Sequence, residues 1–248
     1  FWRKGMSKVM VTGSAGGVGK AIIRELTQNG HEVLGFDRAV NPEDAHAVGS
    51  DILDHEALLK AASGRDVLIH LAAEPDEADF LDKLIEPNVR GLYNVCDAAR
   101  QQGVPKLILA STVQLIAGHP KDAFVRLEDG ARPINHYALT KLWAEGMGEM
   151  YARAYGLSVI AARLGWLPRS REHAEELRDS GWGTNVYLSH NDAARFFLKC
   201  VEVEMEPARF EIIFASSKAK KLRLDPEPAK RILDYEAEDI WPEGQPFI

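Results

Sequence analysis

Hydrophobic and polar positions alternate along the chain in two registers. Short, nearly continuous apolar runs stand at residues 8–13, 31–37, 67–73, 106–111 and 157–163. Runs of this length, closed by glycine or a polar residue, read as strands buried on both faces. Between them, residues 20–29, 51–62, 80–102 and 137–156 carry apolar side chains at helical spacing, with Gly30 and Gly103 as stop signals. Strand followed by helix, repeated from residue 8 to residue 163, predicts a mostly parallel sheet with helices on both faces. That is a Rossmann-like, doubly wound α/β fold.

After Arg163 the pattern loosens. A polar stretch (168–181) precedes a helix near 191–203 and a strand at 209–214, and four prolines after residue 225 mark a loop-rich tail. This remainder is small for an independent unit. The expectation is one nucleotide-binding domain over 6–248, with a substrate-side lobe drawn mainly from 164–248. Phe1 to Gly5 precede a methionine at position 6 and read as a leader foreign to the native chain.

Composition narrows the function. The 248 residues are 46% hydrophobic and carry 30 basic against 37 acidic side chains, a net charge of −7. No basic face for a nucleic-acid backbone is in prospect. No apolar run reaches the ~18 residues of a membrane span, and a cytoplasmic location is the default expectation. The two cysteines, Cys96 and Cys200, lie inside apolar helical patterns without partners at metal-ligand spacing, so neither zinc nor another metal is expected.

The first strand runs into Gly13-Ser14-Ala15-Gly16-Gly17-Val18-Gly19. Gly13 permits a tight turn, Gly16 lets backbone approach a pyrophosphate, and Gly19 lets the helix pack closely on the strand. The helix N-terminus then offers N–H groups and partial positive charge to phosphate. The second strand ends in Asp37, whose carboxylate can accept from both ribose hydroxyls and repels a 2′-phosphate, which favours NAD over NADP. Arg38 keeps the opposite reading open. Asp51 and Ile52 stand where a chain could offer a carboxylate and an aliphatic wall to adenine.

Tyr137 and Lys141 are four residues apart at the start of a predicted helix and so share one face. A phenol titrates near ~10, and a nearby ammonium is expected to lower that value and make it a competent proton carrier. The strand before this helix ends in Ser111-Thr112. A hydroxyl there faces the ligand crevice of a parallel sheet, and either residue can hold a substrate oxygen.

Together with His70-Leu71-Ala72-Ala73 and Asn88-Val89-Arg90-Gly91, these motifs resemble the extended short-chain dehydrogenase/reductase superfamily, also called the NAD-dependent epimerase/dehydratase family. The resemblance covers roughly residues 8–215. It implies a catalytic triad of Thr112, Tyr137 and Lys141, with Ser111 competing for the hydroxyl. It also implies that Asn88 supports the site, that Leu71, Ala72 and Ala73 line the cofactor, and that Arg163 to Gly165 lie near the nicotinamide. Residues 109–111, 137–141, 163–165 and 189–192 are most similar to uronate dehydrogenases, which oxidise a sugar acid at its anomeric carbon. The positions that meet the sugar in those enzymes fall here on Pro75, Val113, Gln114 and Trp166, a less polar set. Their carboxylate-binding arginine corresponds to Arg169, Arg171 or Arg178. Subunits pair in this superfamily through the helices 89–102 and 137–154, which implies a homodimer.

The leading expectation is an NAD-dependent oxidoreductase moving hydride between nicotinamide and a small alcohol, a sugar or sugar acid. The alternatives are a sugar epimerase or dehydratase and, from another class, a catalytically silent NAD-binding regulator. Trp166 and Trp182 flank the polar stretch as a lid or as pins. His119 and His136 read as solvated loop residues, and His190 and Asp192 as a turn that opens a helix.

Overall fold

The computed structural model describes residues 5–40 and 44–242, so Phe1 to Lys4 of the expected leader lie outside the described residues. The apolar runs become β1 (Lys8–Thr12), β2 (Glu32–Asp37), β4 (Val67–His70), β5 (Lys106–Thr112), β6 (Ser158–Leu164) and β7 (Phe210–Ala215), joined by a short β3 (Ala47–Gly49). They form one parallel sheet in the order β3-β2-β1-β4-β5-β6-β7. The chain leaves β1 towards β2 and later returns to place β4 on its other side. This reversal opens a crevice beyond the carboxyl ends of β1 and β4.

The helices are α1 (Gly17–Gln28), α2 (His55–Ala62), α3 (Leu92–Gln101), α4 (His136–Tyr155), α5 (Arg171–Asp179), α6 (His190–Glu202) and α7 (Glu227–Leu233). Strand alternation sorts the core onto two faces. Val9, Val11 and Ile108 pack with Ile22, Leu26, Phe196 and Phe197 of α1 and α6. Met10, Leu68 and Leu109 pack with Leu58, Val95, Met147 and Tyr151 of α2, α3 and α4. Cys96 and Cys200 are free and buried, one in each layer.

Four features depart from the sequence expectation. β3 is only three residues long and pairs with Gly35–Asp37, too short for a periodicity to show. The polar stretch contains α5, which buries only Ala174 and Leu177 and starts on a Ser170 cap accepting from the His173 N–H. The proline-rich tail contains α7, where a proline in the first turn costs no hydrogen bond. Ahead of α3, Phe80–Gly91 winds in wide turns that accommodate Pro87.

Asp192, in the first turn of α6, is fully buried. It pairs with Arg195 at 2.6 Å and accepts from the Ser217 hydroxyl at 2.6 Å and the backbone N–H of Glu238 and Asp239 at 2.8 and 3.0 Å. It therefore holds residues 238 and 239 against α6, beyond the helix-opening turn expected of it.

Candidate active site

A cleft of about 1930 Å³ runs along the carboxyl edge of the sheet, from the turn after β1 to the segment after β6. Its end at the turn after β1 is made of backbone. Gly13 has φ +75°, and a Cβ there would come within 2.7 Å of the Ala72 nitrogen. A Cβ at Gly19 would lie 2.3 Å from the Gly13 carbonyl oxygen, so helix and turn meet only because that position is glycine. Gly16 opens α1 with no side-chain cap, and Gly16, Gly17, Val18 and Gly19 all face the cleft. This open helix N-terminus fits a dinucleotide pyrophosphate. Ala15 does not line the cleft; its N–H donates to Asp37 Oδ2 at 3.1 Å.

Asp37 is thereby oriented at the end of β2, its other oxygen accepting from the Ala39 N–H at 3.0 Å. Arg38 is largely exposed and reaches Asp51 at 3.6 Å. Asp51 and Ile52 form the next stretch of wall, and Leu71, Ala72 and Ala73 continue it after β4. Asn88 is buried behind this wall. Its side chain accepts from the Glu74 N–H at 2.8 Å and donates to the Glu74 carbonyl at 3.0 Å and the Thr140 hydroxyl at 3.2 Å. It ties the loop after β4 to α4 without lining the cleft.

Tyr137, Lys141 and Thr112 come together where this wall meets β5. Lys141 is buried and donates to the Ala110 carbonyl at 3.1 Å; burial lowers its pKa to about 8. His70 lies buried near it, hydrogen-bonded to Thr12 at 2.8 Å, and burial and the Lys141 charge push its pKa down to about 3. Thr112 lines the same cleft as Tyr137, its hydroxyl accepting from the Gln114 N–H at 3.2 Å. Ser111, one residue earlier and so on the opposite face of the strand, donates to the buried Glu145 carboxylate at 2.7 Å. Glu145 in turn forms a buried pair with Arg163 at 2.8 Å. Arg163 is thus part of the support beneath the site, and nothing in the sequence spacing announced Glu145.

The spacing of Tyr137 and Lys141 predicts a lowered phenol pKa, and the structure shows the reverse. Burial pushes Tyr137 up to about 12 and the Asp76 carboxylate adds to the rise, against the Thr112 hydroxyl and the Arg169 charge. The Lys141 ammonium lies 5.8 Å from the centre of the phenol ring and is committed to Ala110.

The substrate end is built from side chains far apart in sequence. Asp76 takes a left-handed backbone (φ +67°) and pairs with Arg169. Glu77 caps the start of α4, accepting from the Tyr137 N–H at 2.8 Å and facing His136 at 3.0 Å. These contacts keep its carboxyl below the usual range. Gln114 Oε1 accepts from Asn135 at 2.8 Å. Trp166 donates to His173 Nε2 at 2.6 Å and stands 5.7 Å from Trp182, and a small apolar cluster of Val113, Ile116, Val186 and Phe214 lies beneath both rings. Pro75, Val113, Gln114 and Trp166 all line the cleft. The sequence left Asp76, Glu77 and His173 unnoticed, because only the fold brings loop 74–79 against residues 166–173.

A nucleotide cradle at the sheet's reversal point, with phenol, ammonium and hydroxyl beside it, defines a nicotinamide-dependent oxidoreductase. Residues 9–167 match the NAD dependent epimerase/dehydratase family, and the chain belongs to that family. It is 31% identical over 216 residues to the L-arabinose 1-dehydrogenase (NAD(P)(+)) of Haloferax volcanii, covering 81% of this chain and 84% of that protein. It is 29% identical over 165 residues to the uronate dehydrogenase of Pseudomonas putida, covering 64% of this chain and 60% of that one. The crystal structure of a glucuronic acid dehydrogenase from Chromohalobacter salexigens superposes with TM-score 0.80 over 95% of this chain and 85% of its own, at 24% identity, a likeness of fold. The chain is an NAD-dependent oxidoreductase with the Rossmann-like fold its sequence predicts. Among the described residues no helix is long and apolar enough to cross a membrane, and no cluster of His, Cys, Asp or Glu could hold a metal ion.

Proposed function

We propose that the protein is a dehydrogenase of small sugars or sugar acids, with Tyr137 as the proton carrier, Thr112 as the hydroxyl that holds the substrate oxygen, and Lys141 as the supporting cation. The observation that carries this is the convergence of Thr112, Tyr137 and Lys141 on one stretch of wall, inside the cleft that the glycine cradle opens. The named activities of the Haloferax and Pseudomonas relatives support the substrate class. Bound NAD would supply the carbon that takes hydride. In the oxidative direction the ionised oxygen of Tyr137 would accept the hydroxyl proton, leaving the neutral phenol, while Thr112 donates to the substrate oxygen. Ser111 is kept from this task by Glu145. Gly16, Gly17 and Val18 receive the pyrophosphate, and Asp37, held by Ala15 and Ala39, takes the adenosine ribose.

Residues 164–242 supply Trp166, Arg169, His173 and Trp182 to the substrate end, in line with a lobe built on one domain. Tyr93 on α3 and Leu139, Trp143 and Met150 on α4 are exposed and apolar, which supports a homodimer through these helices. The cytoplasm is the location we propose. The reading is tested by following NADH absorbance with aldoses, uronic acids and simple alcohols. Tyr137→Phe is expected to lower kcat/KM by about 100-fold or more while NAD affinity stays within a few-fold; normal turnover in that variant removes the mechanism.

A further inference from the structure

The substrate end of the cleft is charged one-sidedly. Glu74, Asp76, Glu77, Glu172 and Glu176 line it, and Arg169 is the only guanidinium among the described residues that do so. Of the other cations on the cleft wall, Lys20, Arg24 and Arg38 stand at the cofactor end, Lys141 is tied to Ala110, and Lys83 is flanked by Asp82 and Glu86, which line the cleft with it. His173 adds no charge, since burial and the Arg169 cation both lower its pKa and Trp166 donates to its Nε2.

Arg169 is itself engaged. Its guanidinium bonds Asp76 Oδ2, while Asp76 Oδ1 faces Gln114 Nε2 at 3.5 Å. Gln114 is oriented by Asn135, which donates to its carbonyl oxygen, so the amide nitrogen is the group turned to Asp76. Both partners of the pair line the same cleft as Tyr137.

We infer that Asp76 and Arg169 form a charge filter that selects uncharged polyhydroxylated substrates, the aldose class, over sugar acids and sugar phosphates. The inference rests on the reading of the site as a sugar dehydrogenase and names its substrate more narrowly. An entering carboxylate or phosphate has to share Arg169 with Asp76 and also lie against the surrounding acids, whose repulsion opposes it. A sugar hydroxyl meets neither cost. It can donate to Asp76 and accept from Arg169 at once, and both charges remain matched. Asp76 and Arg169 are each nearly half exposed, so the filter acts through a partly screened field and grades substrates without excluding any.

The test compares kcat/KM, read by NADH absorbance, for sugars that differ only at C6: D-galactose with D-galacturonate, D-glucose with D-glucuronate and glucose 6-phosphate. Neutral members are expected to exceed their charged counterparts by about tenfold or more. Asp76→Asn frees Arg169 and is expected to narrow that ratio by about tenfold through a gain on the acid. The Asp76→Asn, Arg169→Gln double variant is expected to lose the gain. Each ratio is taken within one preparation, so partial misfolding cancels. A wild type that prefers the acid or the phosphate, a ratio unmoved by Asp76→Asn, or a gain that survives in the double variant overturns the filter while the dehydrogenase reading stands. NADH formed from none of these compounds overturns that reading, and the filter with it.

Discussion

The two ends of the cleft are made of different material. The cofactor end is backbone: the Gly13–Gly19 turn, the open N-terminus of α1 and the strand ends fix its shape, and a Cβ at Gly13 or Gly19 collides with main chain. The substrate end is side chain against side chain, with Asp76 on Arg169, Trp166 on His173 and Asn135 on Gln114. Backbone geometry belongs to the fold and resists adjustment by single substitutions. Paired side chains on loops can be exchanged without touching the sheet. The difference explains how one architecture serves relatives acting on different sugars while the dinucleotide seat stays recognisable.

If the division is real, substitutions at the two ends should separate in their kinetics. The largest effect on NAD binding is expected at the cradle. Gly19→Ala puts a methyl 2.3 Å from the Gly13 carbonyl, and NAD affinity measured by fluorescence titration should fall by roughly tenfold or more. Unaltered NAD binding would mean the helix is not packed as described.

Lys141→Met comes next, at the junction of the ends. Loss of the cation should lower kcat/KM at pH 7 by about 100-fold and move the rising limb of the pH profile for oxidation upward. The sign follows from the charges. Oxidation needs the ionised phenol, burial already holds Tyr137 up near 12, and removing a neighbouring cation disfavours the anion further. Lys141, lowered to about 8, loses its own charge on the alkaline side, so the observed limbs belong to the pair. A limb that stays in place in the variant would assign the proton to another group.

The smallest effect is expected furthest from the cofactor. Trp182→Ala removes the ring 5.7 Å from Trp166 and should raise the sugar KM about fivefold, consistent with the loss of part of one aromatic contact, while NAD affinity is unchanged. A matching change in NAD affinity would show that the ends are coupled.

The same contrast governs what the chain discloses before its structure is known. Strand ends and glycine turns are local, so the cradle, Asp37, the Rossmann-like sheet and the Tyr137–Lys141 face were legible as periodicity and spacing. The choice between Ser111 and Thr112 was not, since alternation puts them on opposite faces but does not say which face is the cleft. Glu145 decides it from 34 residues away. The Asp76–Arg169 pair joins residues 93 apart and depends on a left-handed turn at an aspartate. The direction of the Tyr137 shift was misjudged for a related reason. Helical spacing reports a neighbour, whereas desolvation depends on everything else that closes over the ring.

The buried carboxylate of Asp192 reaches further than its position implies. Its helix begins with His190, whose Nε2 lies 3.1 Å from where a Cβ on Gly17 would stand, and its acceptors are filled by N–H groups of Glu238 and Asp239. Residues 238 and 239 are thereby tied, through α6, to the first turn of α1. A substitution at Asp192 therefore acts on two distant stretches of chain at once, residues 238–239 through its oxygens and Gly17 through the helix that carries His190.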